Sequence, residues 1–213
     1  MKVLDLFSGL GGWSGAFVVR GHEIVTVDIE PRFKPTIIKD VMDMTADDMR
    51  GYDIVLASPP CNCFSVASIY RHWTGGKKAY IPKTKEAERA IVLVNHLFEI
   101  LAGTRYIVEN PRGMMRHVGP RKPDTTIWYC QYGDNRAKPT DIWTSIKELK
   151  WRPPCRNNNP NCHHDRAPRG TRIGGTQDMN LNTAQRASIP YGLSLDICIQ
   201  IEAIFNNQTE RYR

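Results

Sequence analysis

Apolar positions along the chain follow two periods. Residues 2–7, 23–28, 37–41, 53–57 and 105–108 are short, nearly continuous runs rich in Val, Ile and Leu. That is the pattern of strands buried on both faces of a parallel sheet. Between them the spacing becomes helical. Residues 86–102 are the clearest case: Ala87, Ala90, Ile91, Val94, Leu97, Phe98 and Leu101 recur on one stripe, and Gly103 ends it. Shorter helices are expected over 14–20 and 46–50. Further on, 126–132 and 141–144 read as strands, and 182–188 and 193–205 as closing helices. In the last of these Leu193, Ile197, Cys198, Ile201, Ile204 and Phe205 share a face. Strands alternating with helices predict an α/β fold with a mostly parallel central sheet. A length of 213 residues fits one domain with at most a small appendage.

In open α/β sheets ligands bind beyond the carboxyl ends of the strands, so the strand ends are read first. The first strand runs into Ser8-Gly9-Leu10-Gly11-Gly12-Trp13, a glycine loop that lets the backbone approach a ligand closely. The second ends in Asp28 about 20 residues later, where nucleotide binders place a carboxylate for ribose hydroxyls. Ile29 lies beside it and Glu30 is the alternative acid. The third ends near Asp40 and Val41, with Asp40 suited to accept a hydrogen bond from an adenine amino group. No Lys-Ser/Thr pair follows the glycines, so this is not a phosphate-cradling loop. Phe7, Asp28 and Asp40 at three strand ends suit an adenosine without phosphates, which points to S-adenosylmethionine.

The fourth strand stops at Ser58-Pro59-Pro60-Cys61-Asn62-Cys63-Phe64-Ser65. Two prolines stiffen the turn and hold Cys61 out at the strand end as a nucleophile. The alternative is a buried cysteine after an ordinary turn. Residues 66–85 then carry Arg71, Lys77, Lys78, Lys83 and Lys85 with no acid, interspersed with Tyr70, Trp73, Gly75, Gly76 and Tyr80. Such a segment beside a nucleophile reads as a mobile loop that closes on a nucleic-acid backbone. Charge sharpens this expectation. The net charge is +7; residues 1–110 carry 13 Lys/Arg against 13 Asp/Glu, whereas residues 111–213 carry 16 against 9. A basic half beside a neutral one suggests a polyanionic partner.

A carboxyl group, Glu109, stands at the tip of the next strand in Glu109-Asn110-Pro111. Taken together, three motifs resemble the DNA cytosine-5 methyltransferases. Asp5-Leu6-Phe7-Ser8-Gly9-Leu10-Gly11-Gly12 looks like that family's cofactor loop, Pro60-Cys61-Asn62-Cys63-Phe64-Ser65 like its Pro-Cys motif, and Glu109-Asn110-Pro111 matches its Glu-Asn-Pro. The resemblance covers roughly residues 1–145. It implies a Rossmann-like S-adenosylmethionine-dependent methyltransferase fold in which Phe7, Gly9, Leu10, Gly11, Gly12, Asp28, Ile29, Asp40, Val41, Ser58 and Pro60 hold the cofactor. It also implies that Cys61 attacks C6 of a flipped-out cytosine while Glu109, raised in pKa by burial, holds N3 and the amino group. The family's Gln-x-Arg-x-Arg motif has altered spacing here. Gln131 and Arg136 are its nearest matches, Arg136 as the arginine that holds the cytosine carbonyl, with Lys138 in reserve. Ser65, Arg71, Lys77, Lys78, Gln131, Lys138 and Arg169 are the residues expected to meet double-stranded DNA. Residues 186–190 resemble the last motif loosely, without its Gly-Asn.

Residues 150–177 change in composition to Pro, Asn, Gly, Arg, Cys and His. Within them Cys155, Cys162, His163 and His164 are either plain loop side chains or zinc ligands, with Cys130 approaching from the adjacent strand. The set expected to bind zinc is Cys130, Cys155, Cys162 and His163. The expected division is a catalytic core over 1–148, a small basic Cys/His target-recognition element over 149–180, and closing helices over 181–213. So short an element implies short or relaxed target recognition, or help from a protein partner or oligomer. Competing readings are an exocyclic-amino methyltransferase, from Ser58-Pro59-Pro60, an RNA cytosine methyltransferase, and a non-catalytic nucleic-acid-binding protein on the same fold. The longest apolar runs fall short of the roughly 20 residues that span a bilayer. Met1-Lys2 enters a strand with no cleavable signal pattern, so a soluble, cytoplasmic, DNA-associated protein is expected.

Overall fold

The computed structural model describes residues 1–74, 80–156, 158–165 and 182–210. Its elements in chain order are β1 (Lys2–Leu6), α1 (Gly15–Val19), β2 (Glu23–Asp28), β3 (Ile37–Ile38), β4 (Ile54–Ala57), α2 (Ile69–His72), β5 (Trp73–Thr74), β6 (Ile81–Pro82), α3 (Lys85–Ile100), β7 (Tyr106–Pro111), α4 (Met115–Val118), β8 (Thr125–Trp128), β9 (Pro139–Thr144), α5 (Thr183–Ala187) and α6 (Tyr191–Glu210). Seven strands form one sheet in the order β3-β2-β1-β4-β7-β9-β8. The first five are parallel, and β9 runs antiparallel between β7 and β8.

Both faces of the sheet are covered, and strand alternation decides which side chain goes where. In β4, Val55 and Ala57 face the layer built on α3, with Val94, Leu97 and Leu101. Ile54 and Leu56 face the opposite layer, with Phe17, Leu193, Ile197 and Ile201. Thr84 caps α3 by accepting a hydrogen bond from the Ala87 amide, and Glu86 and Glu88 favour its first turn. The stretch from Gln185 to Asn207 is apolar enough by composition to cross a membrane. That departs from the reading of its apolar runs as too short, although Leu193, Ile197, Cys198 and Ile201 within it are buried in the core.

The strand order reverses between β1 and β4, which opens the crevice used by ligands in doubly wound sheets. Register makes the site compact. Leu6 is paired with Ala57, and Ala57 with Val108. The next residues, Phe7, Ser58 and Glu109, therefore lie at one level where the parallel ladder ends, although β7 itself continues to Pro111 against β9.

Three local expectations change. Residues 129–132 leave the strand and form a 3-10 turn, Tyr129–Tyr132, closed by Gly133 at φ +88°. The last ladder pair is Trp128 with Pro139, and proline has no N–H to carry the pairing further. The third strand is only Ile37–Ile38, after which the Asp40 side chain caps a 3-10 turn by accepting from the Met42 amide. Residues 66–85 are not one open loop: a 3-10 turn, Val66–Ser68, and α2 lead into the antiparallel pair β5–β6. Trp73, buried, stacks on Phe64 with centroids 6.2 Å apart and donates its indole N–H to the Cys63 carbonyl at 2.6 Å. Cys63 is thus part of the packing that anchors this segment.

Candidate active site

Cys61 sits just past β4 at the head of a tight turn, its carbonyl accepting from the amides of Phe64 at 3.0 Å and Ser65 at 2.9 Å. Asn110 ties this turn to β7 by donating its side-chain amide to the Pro59 carbonyl at 2.9 Å. A second tie lies further on, where the Met114 amide donates to the Phe64 carbonyl at 2.7 Å. Only glycine fits at 113, because a Cβ there would lie 2.0 Å from the Phe64 oxygen.

Glu109 is buried beside the turn and accepts a hydrogen bond from the Tyr129 hydroxyl at 2.6 Å. Burial raises its pKa above the usual carboxylate range, with the Lys138 ammonium working against the rise. Burial also raises the Cys61 thiol, again opposed by Lys138, and the Glu109 charge adds to the rise. Lys138 is therefore the cation common to both groups. Its ammonium lies 4.6 Å from the centroid of the Tyr129 ring and donates to the Arg186 carbonyl at 3.3 Å.

Arg136 does not take the place expected of it. It is buried in an ion pair with Asp134, with Nε to Oδ1 at 2.8 Å, and donates to the Arg186 carbonyl at 3.0 Å. Its donors are spent on holding the 129–138 turn to α5, and the reserve residue Lys138 is instead the cation that acts on Cys61 and Glu109. Gln131 departs too: its amide lies 3.8 Å from Cys162 Sγ, and its backbone carbonyl accepts from Arg152 at 2.8 Å. Ser65 caps the turn after the Pro-Cys motif by accepting from the Ala67 amide. Arg71 is exposed in the last turn of α2. Lys77, Lys78 and Arg169 lie outside the described residues.

The expected cofactor residues gather at the carboxyl ends of β1, β2 and β4 and in the short segment after β3. Gly9 and Gly11 have φ of +50° and +73°, and Phe7 has +57°, so the loop turns through left-handed positions. Asp28 is mostly buried and accepts from the Gly9 amide at 2.8 Å and the Glu30 amide at 2.9 Å, so it shapes the loop; Glu30 is the exposed acid. Gly12 packs against Ile189, where a Cβ would come within 2.9 Å of the Ile189 nitrogen. That brings residues 186–190 to the loop. Exposed Leu10 and Ile29 offer apolar surface beside these carboxylates. The exposed Glu30 carboxylate beside these apolar side chains is the kind of set a ribose and an aromatic base would meet.

The cysteine–histidine set is regrouped. Cys130, Cys155, Cys162 and His164 bring their ligand atoms within 4.8 Å of one another. His163 turns away, its Nε2 lying 3.1 Å from the Asp134 carbonyl. The chain bends at Cys162 and again at His164, and these bends bring the two side chains to the cluster while His163 between them turns to Asp134. The Tyr129–Glu109 contact had no signal in the sequence, because it links residues 20 apart across a turn that breaks the strand pattern.

The sheet order, the switch-point crevice and the Cys61–Glu109 pair define an α/β methyltransferase-type protein. Residues 1–80 match the family model for the C-5 cytosine-specific DNA methylases. A probable DNA (cytosine-5)-methyltransferase of Frog virus 3 (isolate Goorha) is 33% identical over 155 residues, covering 69% of this chain and 72% of that protein. The type II methyltransferase M1.HphI of Haemophilus parahaemolyticus is 28% identical over 134 residues, covering 54% of this chain and 36% of its own length. Among solved structures, the Entamoeba histolytica methyltransferase EhMeth aligns with a TM-score of 0.46 at 11% identity, over 70% of this chain and 54% of that one. The chain belongs to the DNA cytosine-5 methyltransferase family, whose reaction uses S-adenosylmethionine and DNA.

Proposed function

We propose that this chain methylates C5 of cytosine in double-stranded DNA through a covalent Cys61 adduct at C6. The observation that carries the reading is the juxtaposition of Cys61, just past β4, with Glu109, buried on the neighbouring strand β7 and raised in pKa by that burial, with Lys138 the cation acting on both. S-adenosylmethionine, held by the Gly9–Gly12 loop with Asp28, Glu30 and Asp40 around it, supplies an electrophilic methyl group when bound. The Cys61 thiolate, favoured by Lys138, forms a bond to C6 of a flipped-out cytosine. Glu109 donates a proton toward ring N3 as electron density moves onto the ring, and the Tyr129 hydroxyl steadies its carboxyl group. C5, now nucleophilic, would take the methyl group as the donor's S–CH3 bond breaks and leaves a neutral thioether; loss of the C5 proton to a base, return of the N3 proton to Glu109 and departure of the Cys61 sulfur restore the ring.

In this reading residues 1–148 are the catalytic core, 149–180 a target-recognition element and 181–213 the helices that complete the core. Zinc is proposed as a structural ion of the Cys/His segment, with no part in bond making. Ser65 and the exposed Arg71, which follow Pro60-Cys61, are proposed to meet DNA. So small an element implies a short target site or a protein partner, and the setting is cytoplasmic, where the substrate lies. The test is transfer of labelled methyl groups to duplex DNA, followed by digestion to nucleosides. 5-Methyldeoxycytidine is the expected product. N4-methyldeoxycytidine or N6-methyldeoxyadenosine, or label confined to RNA, overturns the reading.

A further inference from the structure

Residues 150–165 are held against the core in an unusual way. Among the described residues of this stretch, the only buried side chains are Cys155 and His164. Both belong to the cluster with Cys130 and Cys162, and no disulfide joins any of its cysteines. Trp151 packs on the core where the segment begins, but beyond it the only buried groups are two potential ligands, with no large apolar side chain among them. The geometry fits a metal instead. The four ligand atoms lie within 4.8 Å of one another, and Cys155 Sγ is 3.8 Å from His164 Nδ1. Tetrahedral zinc, with bonds of about 2.3 Å to sulfur and about 2.0 Å to nitrogen, sets ligand–ligand edges of roughly 3.5–3.8 Å.

The cluster also sits on the turn that completes the active site. Cys130 directly follows Tyr129, the hydrogen-bond partner of Glu109. From outside, Arg152 donates to the Gln131 carbonyl at 2.8 Å, the Asp165 amide donates to the Asn135 carbonyl at 2.8 Å, and His163 meets the Asp134 carbonyl at 3.1 Å. On the inside, the Tyr129 amide donates to the Lys138 carbonyl at 3.1 Å. We infer that Cys130, Cys155, Cys162 and His164 bind one Zn²⁺, and that this ion fixes the turn presenting Tyr129 to Glu109 and Lys138 to the Cys61–Glu109 pair. Zinc binding releases the thiol protons and closes the segment onto the turn. The role given to the turn rests on the methyl-transfer reading; the metal rests on the cluster alone.

The test uses the full chain, purified reduced and without chelator. One equivalent of zinc is expected, replaceable by Co²⁺ with the absorption of a thiolate-ligated tetrahedral site. Cys155→Ser loses the metal, whereas Cys162→His keeps it, with one thiolate fewer in the Co²⁺ absorption. Removing the metal is expected to lower kcat by about 10²-fold with little change in KM for S-adenosylmethionine, since a displaced acid impairs chemistry before cofactor binding; added Zn²⁺ restores it. Hydrogen exchange reads the turn independently of activity, with metal removal exposing amides of 129–138 while 54–57 stay protected. Protein that binds neither zinc nor Co²⁺ overturns the site. Bound zinc whose removal leaves exchange at 129–138 unchanged overturns the positioning role. Faster exchange there in a protein with no methyl transfer in any form supports the site and its hold on the turn, and counts against the methyl-transfer reading instead.

Discussion

Cys61 and Glu109 are held by the sheet, whereas Tyr129 and Lys138 are held by a turn that other loops clamp. On the first side, β4 and β7 are central, parallel and paired in register through Ala57 and Val108, and the Asn110–Pro59 hydrogen bond fixes their tips. On the second side, the chain leaves β8 after Trp128, turns through Gly133 and returns in β9 at Pro139. Its position depends on the Arg136–Asp134 pair, the α5 carbonyls and the cysteine cluster. The sheet can hold the nucleophile and the acid, while the turn supplies what tunes them. Substitutions on the two sides should therefore fail differently.

The largest effect is expected at the sheet-held pair. Cys61→Ser should reduce methyl transfer to background with Tm and S-adenosylmethionine binding retained. Glu109→Gln should lower kcat by about 10²–10⁴-fold, the usual range for a positioned acid, in single-turnover assays. On the turn, the two cations should separate. Lys138→Met is expected to cost about 10²-fold in kcat with little change in Tm. Arg136→Met should act mainly on stability, by about 3–5 kcal/mol, because it leaves Asp134 without its partner in a largely buried pair. Equal kinetic loss at both positions, without loss of Tm, would erase the distinction between them.

Smaller effects concern pH. The raised Cys61 thiol makes activity climb as pH increases, because the thiolate is the attacking form. Burial raises Glu109, so the pKa it contributes to the profile lies above the usual carboxylate range. The Tyr129 hydroxyl stabilises the carboxylate form, so Tyr129→Phe should move that pKa higher; a shift to lower pH contradicts the contact. Asp5 offers a stability counterpart. Burial, with the Asp28 charge adding, pushes it up to about 7 while Ser14 opposes the shift. A raised acid costs the fold stability progressively as pH rises from its unfolded value toward that folded one. Asp5→Asn should therefore raise Tm at pH 8, with the gain vanishing toward pH 4.

What could be read from sequence follows the same division. β1, β2, β4 and α3 were legible because periodicity reports burial, and burial there is imposed by one regular sheet. Cys61, Glu109 and the glycine loop were legible because each lies at or just past the end of an apolar run that marks a strand. Arg136 and Gln131 were misplaced because their orientation depends on a 3-10 turn and on partners in residues 152–165 and 182–188, which no local pattern encodes. Within the basic segment, read as a mobile loop, the contacts at its described ends, Trp73 against Phe64 and Thr84 at the cap of α3, carry no periodicity that marks them in the sequence.

The most direct test of the sheet-held pair is covalent trapping. The protein is incubated with S-adenosylmethionine and a duplex in which 5-fluorocytosine replaces the target base, then digested and mapped by mass spectrometry. Fluorine at C5 cannot be removed as a proton, so the adduct should accumulate with the methylated base attached to the Cys61 peptide. Active protein that methylates ordinary duplex but leaves the Cys61 peptide unmodified would contradict the assignment of Cys61 as the nucleophile.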